Sequence, residues 1–172
     1  MEPILSIAQP NDMDTLLEFV REYYAFDRHP YDRDAVRAAL EGLLHDPGLG
    51  RVWLIRDGAI PIGYIVLTLG YSLEYRGRDA FIDELYIRER YRGRGVGRQA
   101  LAFVERECRA LGVHALHLEV ERANTGAQQF YRRAGFIDQG RFLLNKWLDP
   151  APGQRSVAAE RPDRAGTPER QS

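Results

Sequence analysis

The segment Arg92-Gly93-Arg94-Gly95-Val96-Gly97 constrains this chain most, because it stands between a strand ending near Ile87 and a helix running from about Gly95 to Leu111. Glycines at alternate positions let backbone N–H groups turn toward one point, and the helix macrodipole adds roughly half a positive charge there. Arg88, Arg90, Arg92, Arg94 and Arg98 crowd into the same stretch. Guanidinium groups so close repel one another unless an anion neutralises them, so the pattern predicts an anion site, better matched to a polyphosphate than to a single carboxylate.

Spacing sorts the possible ligands. A nucleoside triphosphate loop of the Walker type closes with Gly-Lys-Ser/Thr, whereas here Gly97-Arg98-Gln99 follows and Lys146 is the chain's only lysine. A dinucleotide fingerprint needs G-x-G-x-x-G, and the third glycine arrives one residue early. Glu119 or Glu121 does stand where a ribose-binding acid is expected, so this alternative stays open.

The flanking pattern predicts alternating elements. Ile4 to Ala8 reads as a strand, and Pro10-Asn11-Asp12 opens a helix carrying Met13, Leu16, Leu17, Phe19, Val20 and Tyr23. A second helix runs from Asp32 or Asp34 to His45, with Val36, Leu40, Leu43 and Leu44 on one side. Asp57-Gly58 joins two apolar runs, residues 52–56 and 60–69, as a hairpin, and residues 80–87 form the strand before the glycine-rich turn. Leu116, Leu118 and Val120 alternate with polar residues as in a half-buried strand, Asn124-Thr125 caps a helix that stops at Gly135, and Phe136 to Leu148 reads as one or two closing strands around Gly140.

A chain of 172 residues with 44% hydrophobic content suits one domain, and a net charge of -1 gives no reason to expect a nucleic-acid or membrane partner. From Pro150 onward aromatics vanish among prolines, charges and small residues, which predicts a disordered tail over 150–172. The N-terminus lacks signal-peptide character and no segment is long and apolar enough to span a bilayer, so a cytoplasmic location is expected. Cys108, the one cysteine, shares a helical face with Leu101, Val104 and Leu111 and reads as a core thiol. No His, Cys, Asp and Glu cluster has metal-ligand spacing, so no metal is expected.

Two strings taken together resemble the GCN5-related N-acetyltransferase (GNAT) superfamily. One is Arg92-x-x-Gly95-x-Gly97 after Phe81-Ile82-Asp83-Glu84-Leu85-Tyr86-Ile87; the other is Asn124-Thr125-Gly126-Ala127-Gln128-Gln129-Phe130-Tyr131-Arg132-Arg133-Ala134-Gly135-Phe136, roughly 30 residues further on. The resemblance covers residues 1 to about 149, taken as one N-acetyltransferase domain. It implies an α/β (α+β) fold with a mixed, mostly antiparallel sheet of six to seven strands, about four flanking helices, and a parallel strand pair around a coenzyme A site. A non-catalytic coenzyme A sensor is the competing class, and the presence of Tyr131 and an acid pair argues against it.

The resemblance also implies roles. Acetyl-CoA is the co-substrate, its pyrophosphate held by backbone N–H groups of Arg92, Gly93, Arg94, Gly95, Val96, Gly97 and Arg98. The pantetheine arm pairs with the backbone of Leu85, Tyr86 and Ile87 as an extra strand would. Asn124 meets the arm from the other side, with Ala127 and Phe130 lining the slot. Tyr131 hydrogen-bonds the sulfur and protonates the leaving thiolate, which suits a phenol of ordinary pKa about 10.

An alkyl ammonium must lose a proton before it can attack a thioester, so a proton acceptor is required. Asp83 and Glu84 are the candidates, the preference leaning to Asp83; strict alternation puts Asp83 with Phe81, Leu85 and Ile87, and Glu84 with Ile82 and Tyr86. Glu119 and His117 are held in reserve. The expected reaction is direct attack in a ternary complex, with a free backbone N–H near Leu85 available to the thioester oxygen if the strand is distorted there. The acceptor is expected to be a small cationic amine (polyamine, amino acid derivative or aminoglycoside-like), met by tyrosines and by Asp27, Asp32, Glu74 and Asp83, with a protein lysine or N-terminus as alternative. A monomer or homodimer is expected.

Overall fold

The computed structural model describes residues 2–148 and divides at Ile137/Asp138 into two units. In the first, the chain runs β1 (Ile4–Ile7), α1 (Met13–Asp27), α2 (Arg33–His45), β2 (Gly50–Asp57), β3 (Ile60–Ser72), β4 (Gly77–Ile87), α3 (Val96–Ala110), β5 (Ala115–Leu118) and α4 (Thr125–Arg133). Short 3-10 turns at Pro10–Asp12 and Glu89–Tyr91 precede α1 and α3. The sheet order is β1-β2-β3-β4-β5, antiparallel except for the parallel pair β4 and β5.

Local chemistry explains the boundaries. Asp32 accepts hydrogen bonds from the backbone of Asp34 and Ala35 and starts α2, and the Asn124 side chain accepts from the Ala127 N–H and starts α4. The Asp57-Gly58 turn closes the β2–β3 hairpin, with Gly58 at φ 58°.

Alternation along the strands sends side chains to two helical layers. Leu54, Tyr64, Val66 and Tyr86 pack against Leu16, Leu17, Phe19 and Val20 of α1, with Leu40 of α2. Trp53, Ile65, Leu67, Ala80 and Ile82 pack against Leu101, Val104 and Cys108 of α3, with Phe130 and Tyr131 of α4 joining at the edge. Cys108 is core, and burial pushes its thiol up to about 11, so it is inert as a nucleophile near neutral pH.

Two expectations are corrected. The fold class holds, but the described residues form five strands rather than six to seven, and β5 ends at Leu118 before Val120. The missing strands are those expected in Phe136 to Leu148. There Asp138 Oδ1 accepts from the Gly140 N–H and Gly140 turns to φ 66°, which breaks an extended run before it can enter a ladder, and residues 141–148 carry no regular structure. The tail expected over 150–172 lies outside the described residues.

Leu101 is 1% exposed and joins α3 to the sheet. Leu101→Ala should therefore lower unfolding free energy by about 2–5 kcal/mol, whereas Asp32→Ala, which loses only a helix cap, should cost about 1 kcal/mol. Urea denaturation of both variants checks the ranking.

Candidate active site

The site begins at an irregularity in β4. Val66 pairs with Glu84 and the next β3 residue, Leu67, pairs with Ile82, so Asp83 is an extra residue without a cross-strand partner, a β-bulge. Its first consequence is a change of parity. Ala80 and Ile82 face the α3 layer before the bulge, and Leu85 and Ile87 face it afterwards. The strict alternation expected from the sequence thus fails: Glu84 and Tyr86 point to the α1 layer while Ile82 points away from it. The second consequence is an open edge. Pairing with β5 stops at Ile82 and Leu118, and among the described residues the same edge of β4 from Asp83 to Ile87 meets no further strand.

That edge leads into the glycine-rich loop. Arg92 is extended, Gly93 and Gly95 adopt φ 73° and 80°, and Gly95 caps α3 by accepting the Gln99 N–H at 3.1 Å. A left-handed residue here favours glycine and lets the first N–H groups of α3 face outward together. The Phe130 ring lies 3.1 Å from where a Cβ on Gly97 would stand, so α4 approaches the first turn of α3 closely. These features fit a pyrophosphate with an extended arm: a strand edge without a strand partner among the described residues continues into a helix N-terminus, and Phe130 and Tyr131 of α4 pack nearby.

Some side chains behave differently from the simplest expectation. Asn124 uses its Oδ1 as the cap of α4, a role visible in its position before Thr125. The Arg92 Nε donates to the Ile87 carbonyl at 2.7 Å, and its guanidinium lies over Phe26 at 4.6 Å and Tyr86 at 5.6 Å. Arg90 and Arg94 lean on Tyr91. Arg88 is drawn off to α1, where Glu18 and Glu22 accept its hydrogen bonds at 2.7–3.0 Å.

On the α1 side of the bulge stands a carboxylate held by phenols. Tyr64 donates to Glu84 Oε2, and the Tyr24 phenol stands close enough to the same carboxylate to favour its charged form. Burial pushes the Glu84 carboxyl above the usual carboxylate range, and the two phenols only partly offset that. Burial also raises the Asp83 carboxyl, on a residue that stays more exposed than Glu84. The Tyr131 phenol is raised by burial, and its ring packs at steep angles against Phe130 and Phe136 with centroids 5.0 and 5.7 Å apart. Tyr23 is raised first by burial and then by Asp27, Glu84, Tyr131 and Asp83, which puts its phenol within electrostatic reach of all four.

The reserve candidates are apart from this cluster. His117 pairs in register with Phe81, two positions before the bulge, with its Nε2 3.5 Å from Asp79 and its ring 4.4 Å from Tyr75. Glu119 is exposed beyond the end of β5. Sequence reading missed Tyr64 and Tyr24 as partners of Glu84. Tyr64 lies in the apolar run of β3 like any core aromatic, and only the β3–β4 register brings it to Glu84.

A carboxyl whose folded pKa is raised stabilises the fold below its unfolded value, here about 4.5, and that contribution is lost as pH rises through the folded value. Tyr64→Phe removes a hydrogen bond that favours the charged form, so it raises the Glu84 carboxyl further. The variant should be near wild type in stability where Glu84 is protonated, and weaker by about 1–3 kcal/mol where it is ionised. Urea denaturation from pH 4 to 8 reads the difference.

Residues 13–136 match the model of the acetyltransferase (GNAT) family. The chain is 28% identical over 141 residues to an aminoalkylphosphonate N-acetyltransferase of Salmonella typhimurium, covering 82% of this chain and 88% of that one. An integron cassette protein, HFX_CASS3, from the mobile metagenome of Cole Harbour Salt Marsh is 40% identical, with a TM-score of 0.76 over 85% of this chain and 91% of that one. The aminoglycoside N-acetyltransferase AAC(6')-Iy, solved in complex with CoA, shares the fold at 16% identity, with a TM-score of 0.73 over 86% of this chain and 95% of that one. With the family matched across the bulged strand, the glycine-rich loop and α4, this chain belongs to the acetyltransferase (GNAT) family and is an N-acetyltransferase.

Proposed function

We propose that the protein transfers the acetyl group of acetyl-CoA to a primary amine of a small cationic acceptor by direct attack in a ternary complex. One observation carries this reading: the open β4 edge beyond the bulge starts at a phenol-bound Glu84, packs its Leu85 against the same core cluster as Phe130 and Tyr131 of α4, and runs into the glycine-rich start of α3. The likeness to a fold solved with CoA supports the cofactor, and the similarity to an aminoalkylphosphonate N-acetyltransferase supports a small amine as acceptor.

In this reading Leu85, Tyr86 and Ile87 offer backbone groups to the pantetheine arm, and residues 92 to 98 hold the pyrophosphate through their N–H groups. Asn124, Ala127 and Phe130 wall the slot. A backbone N–H at the bulge bonds the thioester oxygen, which needs a donor that no strand partner has claimed. Glu84 takes the proton from the attacking ammonium, directly or through water, since burial brings its basicity closer to that of its task. Asp83 is the alternative acceptor. Tyr131 returns a proton to the departing thiolate, for which a phenol kept neutral by burial is suited. Residues 1–149 form the catalytic domain in this proposal, in the cytoplasm with the cofactor, and carry this chemistry without residues 150–172.

Acetylation of amine panels by the purified protein tests the reading. Glu84→Gln should lower kcat by about 10²-fold or more and abolish the acidic limb of the pH–rate profile, which rises with pH as Glu84 ionises. Asp83→Asn, if Glu84 is the base, keeps that limb. Tyr131→Phe should lower kcat by about 10²-fold with coenzyme A affinity little changed. Normal turnover in Tyr131→Phe removes the phenol from the mechanism, and a panel in which only neutral or acidic compounds are acetylated overturns the acceptor class.

A further inference from the structure

The end of α1 holds a carboxylate that the chemistry above does not use. Asp27 is the last residue of α1, one helical turn beyond Tyr23 and therefore on the same helix face. Tyr23 in turn packs against Tyr86, with ring centroids 6.0 Å apart, so this face looks toward β4. The Asp27 side chain is 18% exposed.

This is a poor place for an anion left to itself. The C-terminal end of a helix carries the negative half of the macrodipole, so it offers a carboxylate none of the help that a helix N-terminus would. Its ion-pair partner is His29, with Nε2 3.1 Å from Oδ2 and a side chain that is 55% exposed. Arg88 is engaged with Glu18 and Glu22, and Arg92 with the Ile87 carbonyl, Phe26 and Tyr86, while Arg28, the C-cap residue next to Asp27, has its backbone N–H on the Tyr24 carbonyl. Beside Asp27 the surroundings favour a cation. Tyr23 and Tyr24 stand 5.9 Å apart, and His29 and Tyr31 lie 5.8 and 6.2 Å from Tyr24. Aromatic rings of this kind attract an ammonium group, most strongly where water is thinned out.

From this geometry we propose that Asp27 binds a second ammonium group of the acceptor, so that the preferred acceptors are diamines rather than monoamines. The inference rests on the amine-acetylation reading and deepens it. The reacting nitrogen becomes neutral when it gives up its proton at the bulge; the distal one keeps its charge throughout and is held by Asp27 against the tyrosine wall. The two anions thus have different work, one a proton acceptor and one a fixed counterion about one helical turn from Tyr23. Acceptors with an anionic tail bring like charge to Asp27 and are disfavoured.

The test compares kcat/KM for 1,4-diaminobutane and 1,5-diaminopentane with that for butylamine and pentylamine, in wild type, Asp27→Asn and Asp27→Glu. Wild type should favour the diamines by about tenfold or more, mainly through KM. In Asp27→Asn that ratio should collapse toward one, and Asp27→Glu should restore part of it. Because the ratio is internal to each variant, partial loss of fold or of overall rate does not imitate the effect. Equal use of diamines and monoamines by wild type overturns the proposal, as does an Asp27→Asn variant that keeps the wild-type ratio, or better use of 3-aminopropylphosphonate than of the diamines. In those cases acetylation of amines persists and the broader function stands; acetylation of no amine at all overturns both.

Discussion

The single extra residue in β4 is the constraint on which the rest of the site depends. A regular ladder would have sent Glu84 to the same side as Ile82, into the apolar layer under α3 where a carboxylate has no partner. The bulge at Asp83 reverses that parity. Glu84 meets Tyr64 and Tyr24 on the α1 side, while Leu85 and Ile87 keep the α3 layer continuous. The parallel pairing of β4 and β5 also ends just before the bulge, so among the described residues the strand edge beyond it has no strand neighbour. An open edge costs unpaired hydrogen-bonding groups, and proteins keep such edges chiefly where something pairs with them.

Charge is then divided along the site. The loop before α3 gathers arginines and backbone N–H groups, while the α1 side of the bulge gathers Asp27, Asp83 and Glu84 among tyrosines. Arg88 stands between the two regions and is tied to α1. Its hydrogen bonds hold the Glu22 carboxyl below the usual range, against burial, and Tyr86 donates to the same carboxylate at 3.0 Å. This network fastens the end of β4 to α1, so the open strand edge and the tyrosine-rich face of α1 share one support.

Much of the fold was legible because its signals are local. The glycine-rich loop, the Asp57-Gly58 hairpin, the Asp32 and Asn124 caps and the periodicity of α1, α2 and α3 each arise within a few residues, and the elements follow with small shifts at their ends. The strand reading of Phe136 to Leu148 failed for the complementary reason. An apolar run such as Phe142-Leu143-Leu144 has strand character only if a partner completes its ladder, and the turn at Asp138 and Gly140 intervenes.

Sequence by itself determined the glycine-rich loop before α3, the family resemblance and the residue types available for acid and base chemistry, since these depend on composition and spacing along the chain. Tertiary structure alone decided which way Glu84 points, that Tyr64 holds it with Tyr24 nearby, and that Asp27 shares a helix face with Tyr23. Those facts depend on the register between β3 and β4 and on how α1 lies across them. A one-residue slip in register exchanges every side chain between the two faces of a sheet, and nothing in the string Ile82-Asp83-Glu84-Leu85 records where that slip occurs.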